Sequence, residues 1–176
     1  MKKEIIEWIK TIVIAVVIAL AITNFIARPT LVKGYSMYPT LDQYDYLIIN
    51  KIPYMIHEPE RGDIVVFKSH LKTLEGKEKD LIKRIIGIPG DHVQVTGGKV
   101  SVNGEELEEP YINGDYTPGE VDTIVPEDML FVMGDNRENS LDSRDERVGP
   151  VEKETLMGKA FVRLYPFTKI GLMDGK

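Results

Sequence analysis

The apolar positions of this chain fall into two unlike patterns. From Thr11 to Ala27 the sequence TIVIAVVIALAITNFIA runs 17 residues without a charge. As a helix that stretch reaches roughly 25 Å at 1.5 Å per residue, close to a bilayer core. Trp8, Lys10 and Arg28 flank it and are placed to anchor and snorkel at its two ends, so it is predicted to be a transmembrane anchor. A cleaved secretory signal is the competing reading, because Lys2 and Lys3 open the chain and Ala19-Leu20-Ala21 is a small-x-small triplet. The apolar run continues past that triplet through Ile22, Phe25 and Ile26 with no helix breaker before it, which favours a retained anchor. Three lysines precede the run, so the positive-inside rule keeps residues 1–10 in the cytoplasm, the anchor at 11–27 and residues 28–176 outside.

After residue 28 helical periodicity almost vanishes. Short apolar runs with period two or β-branched enrichment recur instead: YLIINK at 46–51, IVVF at 64–67, LIKRII at 81–86, MLFVM at 129–133 and a run from Lys159 to Tyr165. VQV and VSV alternate on either side of Gly97-Gly98, a hairpin signal, and Asn103-Gly104 turns the chain again into a small three-stranded meander. Residues 68–80 are polar and read as a loop. Residues 108–120, rich in acid, Gly, Pro and Tyr, read as a surface excursion, and Val151 to Leu156 as a short helical turn after Pro150. The predicted fold class is mainly β: an N-terminal transmembrane helix, then an antiparallel β-rich body with a small meander and no βαβ rhythm.

Composition narrows the chemistry. With 176 residues and 43% hydrophobic content, one domain plus an appendage is expected. There is no cysteine, so a disulfide framework, a thiolate metal site and a thiol nucleophile are excluded. Lys2, Lys3 and Lys10 against Glu4 and Glu7 give residues 1–27 a charge of +1, so the total of −6 leaves −7 on the remainder. Such an acidic body is a poor partner for nucleic acid. No clustered metal ligands and no phosphate-cradling glycine loop are present, so no cofactor is implied.

One serine stands out, Ser36 in GYSMYPTL, on a short loop that Gly34 opens and Pro39 stiffens. A hydroxyl is inert at neutral pH unless something takes its proton. The three histidines, His57, His70 and His92, lie in loops or at a hairpin start, with no arrangement that points to a triad. A desolvated lysine is an alternative base, since burial disfavours its charged form. Of the 15 lysines, Lys51 and Lys68 close apolar runs and only Lys83 lies inside one, DLIKRIIG. Period two puts Lys83 on a face with Leu81 and Ile85, and Arg84 on the other with Ile82 and Ile86. Periodicity leaves open which face is buried, but arginine keeps its proton, so Lys83 is the candidate base. The plainer reading is a strand lysine reaching water or a carboxylate.

Ser36 and Lys83 in these contexts resemble the type I signal peptidase family, in its compact Gram-positive form. The likeness runs in order through the apolar segment, SMYPTL, RGDIVVF at 61–67, KRIIGIPGD at 83–91 and GDNRENSLDSR at 134–144. It implies a membrane-anchored serine endopeptidase with a Ser-Lys dyad, Ser36 the nucleophile and Lys83 the general base, that cuts signal peptides from exported preproteins after small residues. Preproteins and the lipid bilayer would be its partners, with no metal. It further implies that Ser140 hydrogen-bonds the Lys83 amine and that Asp142 and Arg144 form a bracing salt bridge. Asp135 would support the site, Arg84 would fix the strand carrying the base, and Met37 would join the hydrophobic wall. Some members carry a serine two positions before the nucleophile that helps bind the oxyanion; here that position is Gly34, which leaves the Ser36 N–H as the main donor. Two rivals stand beside this reading. One is a self-cleaving repressor-type Ser-Lys enzyme, disfavoured by the apolar front end. The other is a membrane-anchored β module that binds a partner through the acidic 105–120 region without catalysis.

Overall fold

The structure is a computed structural model that describes residues 2–21, 26–52, 54, 57–73 and 75–173. Helix α1 (Lys2–Ala21) is followed by β1 (Ala27–Leu31), β2 (Tyr46–Asn50), β3 (Ile64–Lys72) and β4 (Glu78–Gly87). Next come β5 (His92–Thr96), β6 (Lys99–Val102), β7 (Glu105–Glu106), β8 (Val121–Ile124) and β9 (Met129–Met133). The chain ends on β10 (Val151–Glu152), β11 (Leu156–Tyr165) and β12 (Gly171–Leu172). Every strand pairing among the described residues is antiparallel. The larger sheet has the order β1-β2-β11-β3-β4-β9-β10 with β12 on β11, and the smaller one β7-β6-β5-β8. The expected mainly antiparallel β body is what the chain forms.

Three apolar clusters hold it together, and they explain why the central strands read as unbroken apolar runs. Ile64 and Val66 of β3 pack with Met37, Leu41, Leu47 and Ile49, whereas Val65 and Phe67 pack with Ile85, Leu130 and Val132. Ile86, Phe131 and Met133 pack with Val93, Val95, Val100 and Val102 of the smaller sheet. Strands β3, β4 and β9 are therefore covered on both faces, which removes the polar half of the usual alternation. Strand β1 behaves otherwise: among the described residues it is an edge strand, paired only with β2, and tolerates Pro29 for that reason.

Four expectations need correction. Residues 68–80 are not a loop throughout: β3 runs on to Lys72 and β4 starts at Glu78, so the two form a long hairpin. Its outer part is polar because Lys68, His70 and Lys72 of β3 and Glu78 to Asp80 of β4 are exposed, while Ser69 on the other face is buried and donates to the Lys79 carbonyl. Val151 to Leu156 is a strand pair followed by a single 3-10 turn at Lys153–Thr155, β10 pairing with β9. The meander gains a fourth strand, β8, on the free side of β5. The apolar N-terminal segment is also drawn differently. Helix α1 includes the charged residues Lys2, Lys3, Glu4, Glu7 and Lys10, while Ala27 opens β1. Residues 22–25 of the expected span lie outside the described residues. Among the described residues no helix is long and apolar enough to cross a membrane. The charge-free part of α1, Thr11 to Ala21, covers only roughly 16 Å. Its isoleucine, valine and leucine side chains are nonetheless exposed, as is Trp8.

Candidate active site

Ser36 lies in a turn within residues 32–45, the segment that joins β1 to β2. Gly34 opens the turn at φ +102°, a conformation that side chains resist, and open space surrounds the position its Cβ would take. Met37 and Leu41 lock the turn from below: the Leu41 N–H donates to the Met37 carbonyl at 2.8 Å, and both side chains are buried in the first cluster. Met37 is 1% exposed, so it is core rather than the hydrophobic wall expected of it.

The Lys83 ammonium nitrogen lies 2.6 Å from Ser36 Oγ. Lys83 is 2% and Arg84 1% exposed, so both faces of β4 are buried at this point and the question of which face is inside dissolves. The two cations are treated differently. Arg84 donates from Nε and Nη2 to the two carboxylate oxygens of Asp135 at 2.8 and 2.7 Å, and from Nη1 to the Gly62 carbonyl. Lys83 has a hydroxyl where Arg84 has a carboxylate. Burial strips its ammonium of water and pulls its pKa down to about 8, against the opposing pull of the Asp142 and Asp135 carboxylates.

The segment 134–144 wraps the other side of Ser36. The Asn136 N–H donates to the Ser36 carbonyl at 3.1 Å, and the Asn136 side chain to the Tyr35 carbonyl. A Cβ on Gly134 would collide with the Ser36 carbonyl oxygen and with Ser140 Oγ, so only glycine lets this loop close on the turn. Asp142 is fully buried and accepts from Arg144 Nε and Nη2, each at 2.9 Å, and from the Gly134 N–H at 3.0 Å. Burial alone pushes the Asp142 carboxyl up, but the Arg144 guanidinium and the Gly134 N–H outweigh it and hold the carboxyl below its usual range. Asp142, Arg144, Asp135 and Arg84 thus all converge on the turn that carries Ser36. Ser140 does not make the expected bond. Its hydroxyl is buried without a hydrogen-bond partner among the described residues; it leans toward Asp142 closely enough to help hold that carboxyl low.

A groove of about 800 Å3 opens beside the pair, between residues 28–36 on one side and 78–83 on the other, with Val66 beneath and Leu141 at the rim. Residues 78–83 of β4 ladder to β3 on one side, whereas β9 joins the other side only from Arg84 onward. The groove therefore has a strand edge as one wall.

The profile of the family described as "Signal peptidase, peptidase S26" matches residues 5–165. The chain belongs to this signal peptidase family. Among its relatives, "Probable signal peptidase I-2" of Synechocystis sp. is 46% identical over 93% of this chain and 75% of that protein. "Signal peptidase I S" of Bacillus subtilis is 41% identical over 96% and 94%, and "Signal peptidase IB" of Staphylococcus aureus 36% over 96% and 94%. A crystal structure of a signal peptidase I from Enterococcus faecalis is 32% identical, covers 59% of this chain and 97% of that one, and has a TM-score of 0.49.

Sequence patterns missed several residues around the pair. Thr40 donates to Asp135, and Arg137, inside the GDNRENSLDSR stretch, is 2% exposed and donates to the Gly134 carbonyl. Glu109, Tyr111 and Thr117 come from the excursion read as surface. They carry no periodic signal, since an irregular segment places its side chains one by one. The same inward turn takes Glu109 out of the acidic face on which the binding-module rival rested.

Proposed function

We propose that this chain is a serine endopeptidase that removes signal peptides from exported preproteins after small residues, with Ser36 as nucleophile and Lys83 as general base. One observation carries the reading: a primary amine that is 2% exposed lies 2.6 Å from a serine hydroxyl at the wall of an open groove. The relatives named above are called "Probable signal peptidase I-2", "Signal peptidase I S" and "Signal peptidase IB".

A preprotein lies extended in the groove, its main chain pairing with the free edge of β4 and its small side chains entering the apolar floor. The neutral Lys83 amine accepts the Ser36 proton as Oγ attacks the carbonyl carbon after the small residue. The Ser36 N–H faces the developing oxyanion. Lys83 then hands its proton to the departing amine, leaving the signal peptide esterified to Ser36. A water molecule, deprotonated in turn by Lys83, hydrolyses that ester and restores the serine. Asp135, Asp142, Arg84 and Arg144 hold the turn and the base in register, and Gly34 borders the groove beside Ser36 in which the substrate carbonyl sits.

The amine must be neutral to act, so kcat/KM should rise with pH through an acidic limb near 8, where burial has moved Lys83. A limb that stays put in Lys83→Arg or Lys83→His variants with measurable turnover would remove Lys83 as the base. We also place α1 in the bilayer with the following residues outside, because its exposed apolar side chains need a nonaqueous surround and Lys2, Lys3 and Lys10 in its N-terminal half favour the cytoplasmic side. Carbonate extraction of membranes that releases the chain into the soluble fraction would overturn that placement.

A further inference from the structure

Between β7 and β8 the chain forms no regular element, yet its side chains turn inward and grip the groups that hold the site. Glu109 takes the Arg137 guanidinium with both carboxylate oxygens, one of the bonds at 2.8 Å, and the two side chains are 7% and 1% exposed. Thr117, 1% exposed, accepts from Arg137 Nη1 at 2.8 Å. The Tyr111 ring lies against the Arg84 guanidinium, 3.8 Å from carbon to ring centroid, and its hydroxyl donates to Glu109 at 3.1 Å. The Pro118 carbonyl accepts from Arg144 Nη1 at 2.9 Å.

These contacts close a circuit. Arg84 binds Asp135, the neighbour of Gly134; Arg137 Nε donates to the Gly134 carbonyl at 3.0 Å, and Arg144 holds the Asp142 carboxylate that accepts the Gly134 N–H. Gly134 in turn packs on the Ser36 carbonyl. The segment is pinned at its far end to the smaller sheet, where the Thr117 N–H donates to the Gly98 carbonyl at 2.8 Å and the Tyr116 ring fills the space a Cβ on Gly98 would need. A solvated surface loop has no reason to surround three guanidinium groups with a carboxylate, an aromatic face and a carbonyl.

We propose that residues 109–118 are a positioning strap in which Glu109, Tyr111 and Thr117 fix Arg137 and Arg84, and through them the loop that keeps Ser36 against Lys83. This rests on the reading of Ser36 and Lys83 as the catalytic pair. Lysine is a long, flexible base, so its reach to the serine depends on how firmly the surrounding loop holds the turn; a displacement near 1 Å costs about a hundredfold in rate. Glu109, Tyr111 and Thr117 are therefore positioning residues that never touch the substrate.

The test uses the full-length chain in detergent, with kcat and KM measured on cleavage of a preprotein carrying a small-x-small site, and thermal melting recorded for each variant. Tyr111→Phe keeps the ring against Arg84 and should retain kcat within about threefold, whereas Tyr111→Leu loses the face and should lower kcat at least about tenfold with KM nearly unchanged. Both variants lose the hydroxyl, so only the ring face separates them. Equal kcat in the two variants, or a loss confined to KM, overturns the proposal. If Tyr111→Leu does not fold, Glu109→Gln decides in its place: kcat lowered about fivefold at constant KM supports the strap, and unchanged kcat overturns it. Ser36→Ala is assayed alongside. Turnover that survives there removes the catalytic pair itself, while an inactive Ser36→Ala beside a fully active Tyr111→Leu removes only the strap.

Discussion

The charges around Ser36 and those on the smaller sheet follow opposite rules. At the site, Arg84–Asp135, Arg137–Glu109 and Arg144–Asp142 are buried pairs with side-chain exposures of 9% or less, each arginine held by two carboxylate oxygens and donating further to carbonyl or hydroxyl oxygens. On the smaller sheet, His92–Asp122 and Lys99–Glu106 are exposed pairs that water can replace. Buried ions are tolerated only when fully partnered, which is why the site pairs are bidentate and the surface pairs need not be. Lys83 is the exception within the buried region. It has a serine hydroxyl where its neighbours have carboxylates, and that difference separates a charge kept permanently from one that can be given up.

Breaking that exception should have the largest effect. Ser36→Ala and Lys83→Ala are each expected to lower preprotein cleavage by about a thousandfold or more, with the circular dichroism spectrum unchanged. Breaking a buried pair comes next. Asp135→Ala leaves the Arg84 guanidinium buried without its carboxylate and should cost about 3–5 kcal/mol in urea unfolding, enough to impair folding of the whole body. Replacing the buried amine, whose desolvation outweighs the pull of the nearby carboxylates, should act in the opposite direction. Lys83→Met removes a buried ammonium while keeping the volume, and at pH 7 should stabilise the inactive protein by about 1–3 kcal/mol. The sign follows from linkage. Between about 8 and the ordinary lysine value of 10.5 the unfolded chain binds more protons than the folded one, so wild-type stability rises with pH across that window. The advantage of Lys83→Met is therefore full below pH 8 and fades above it.

Smaller effects sharpen the comparison. Ser140→Ala removes a buried hydroxyl with no hydrogen-bond partner and should shift stability by no more than about 0.5 kcal/mol. Lost turnover at unchanged stability would assign that hydroxyl to the substrate-bound enzyme. Asp122→Asn, on the exposed pair, should leave both the melting temperature and turnover within experimental error. A clear loss there would mean that the smaller sheet does more than support the strap.

The sequence by itself determined the apolar helix, the strands with strong period or β-branching, the hairpin at Gly97-Gly98 and Lys83 as the one lysine inside an apolar strand. Each of these is local: the signal lies in residues a few positions apart, where backbone preference and alternation act. Only the tertiary structure decided that Lys83 and Arg84 are both buried, because β4 is covered on two faces by segments distant in sequence. It alone put Met37 in the core, left Ser140 without the bond that resemblance implied and extended β3 and β4 through a polar stretch. Glu109, Tyr111 and Thr117 were illegible for the same reason. Their partners lie dozens of residues along the chain, and an irregular segment has no period by which its inward side chains can be told from its outward ones.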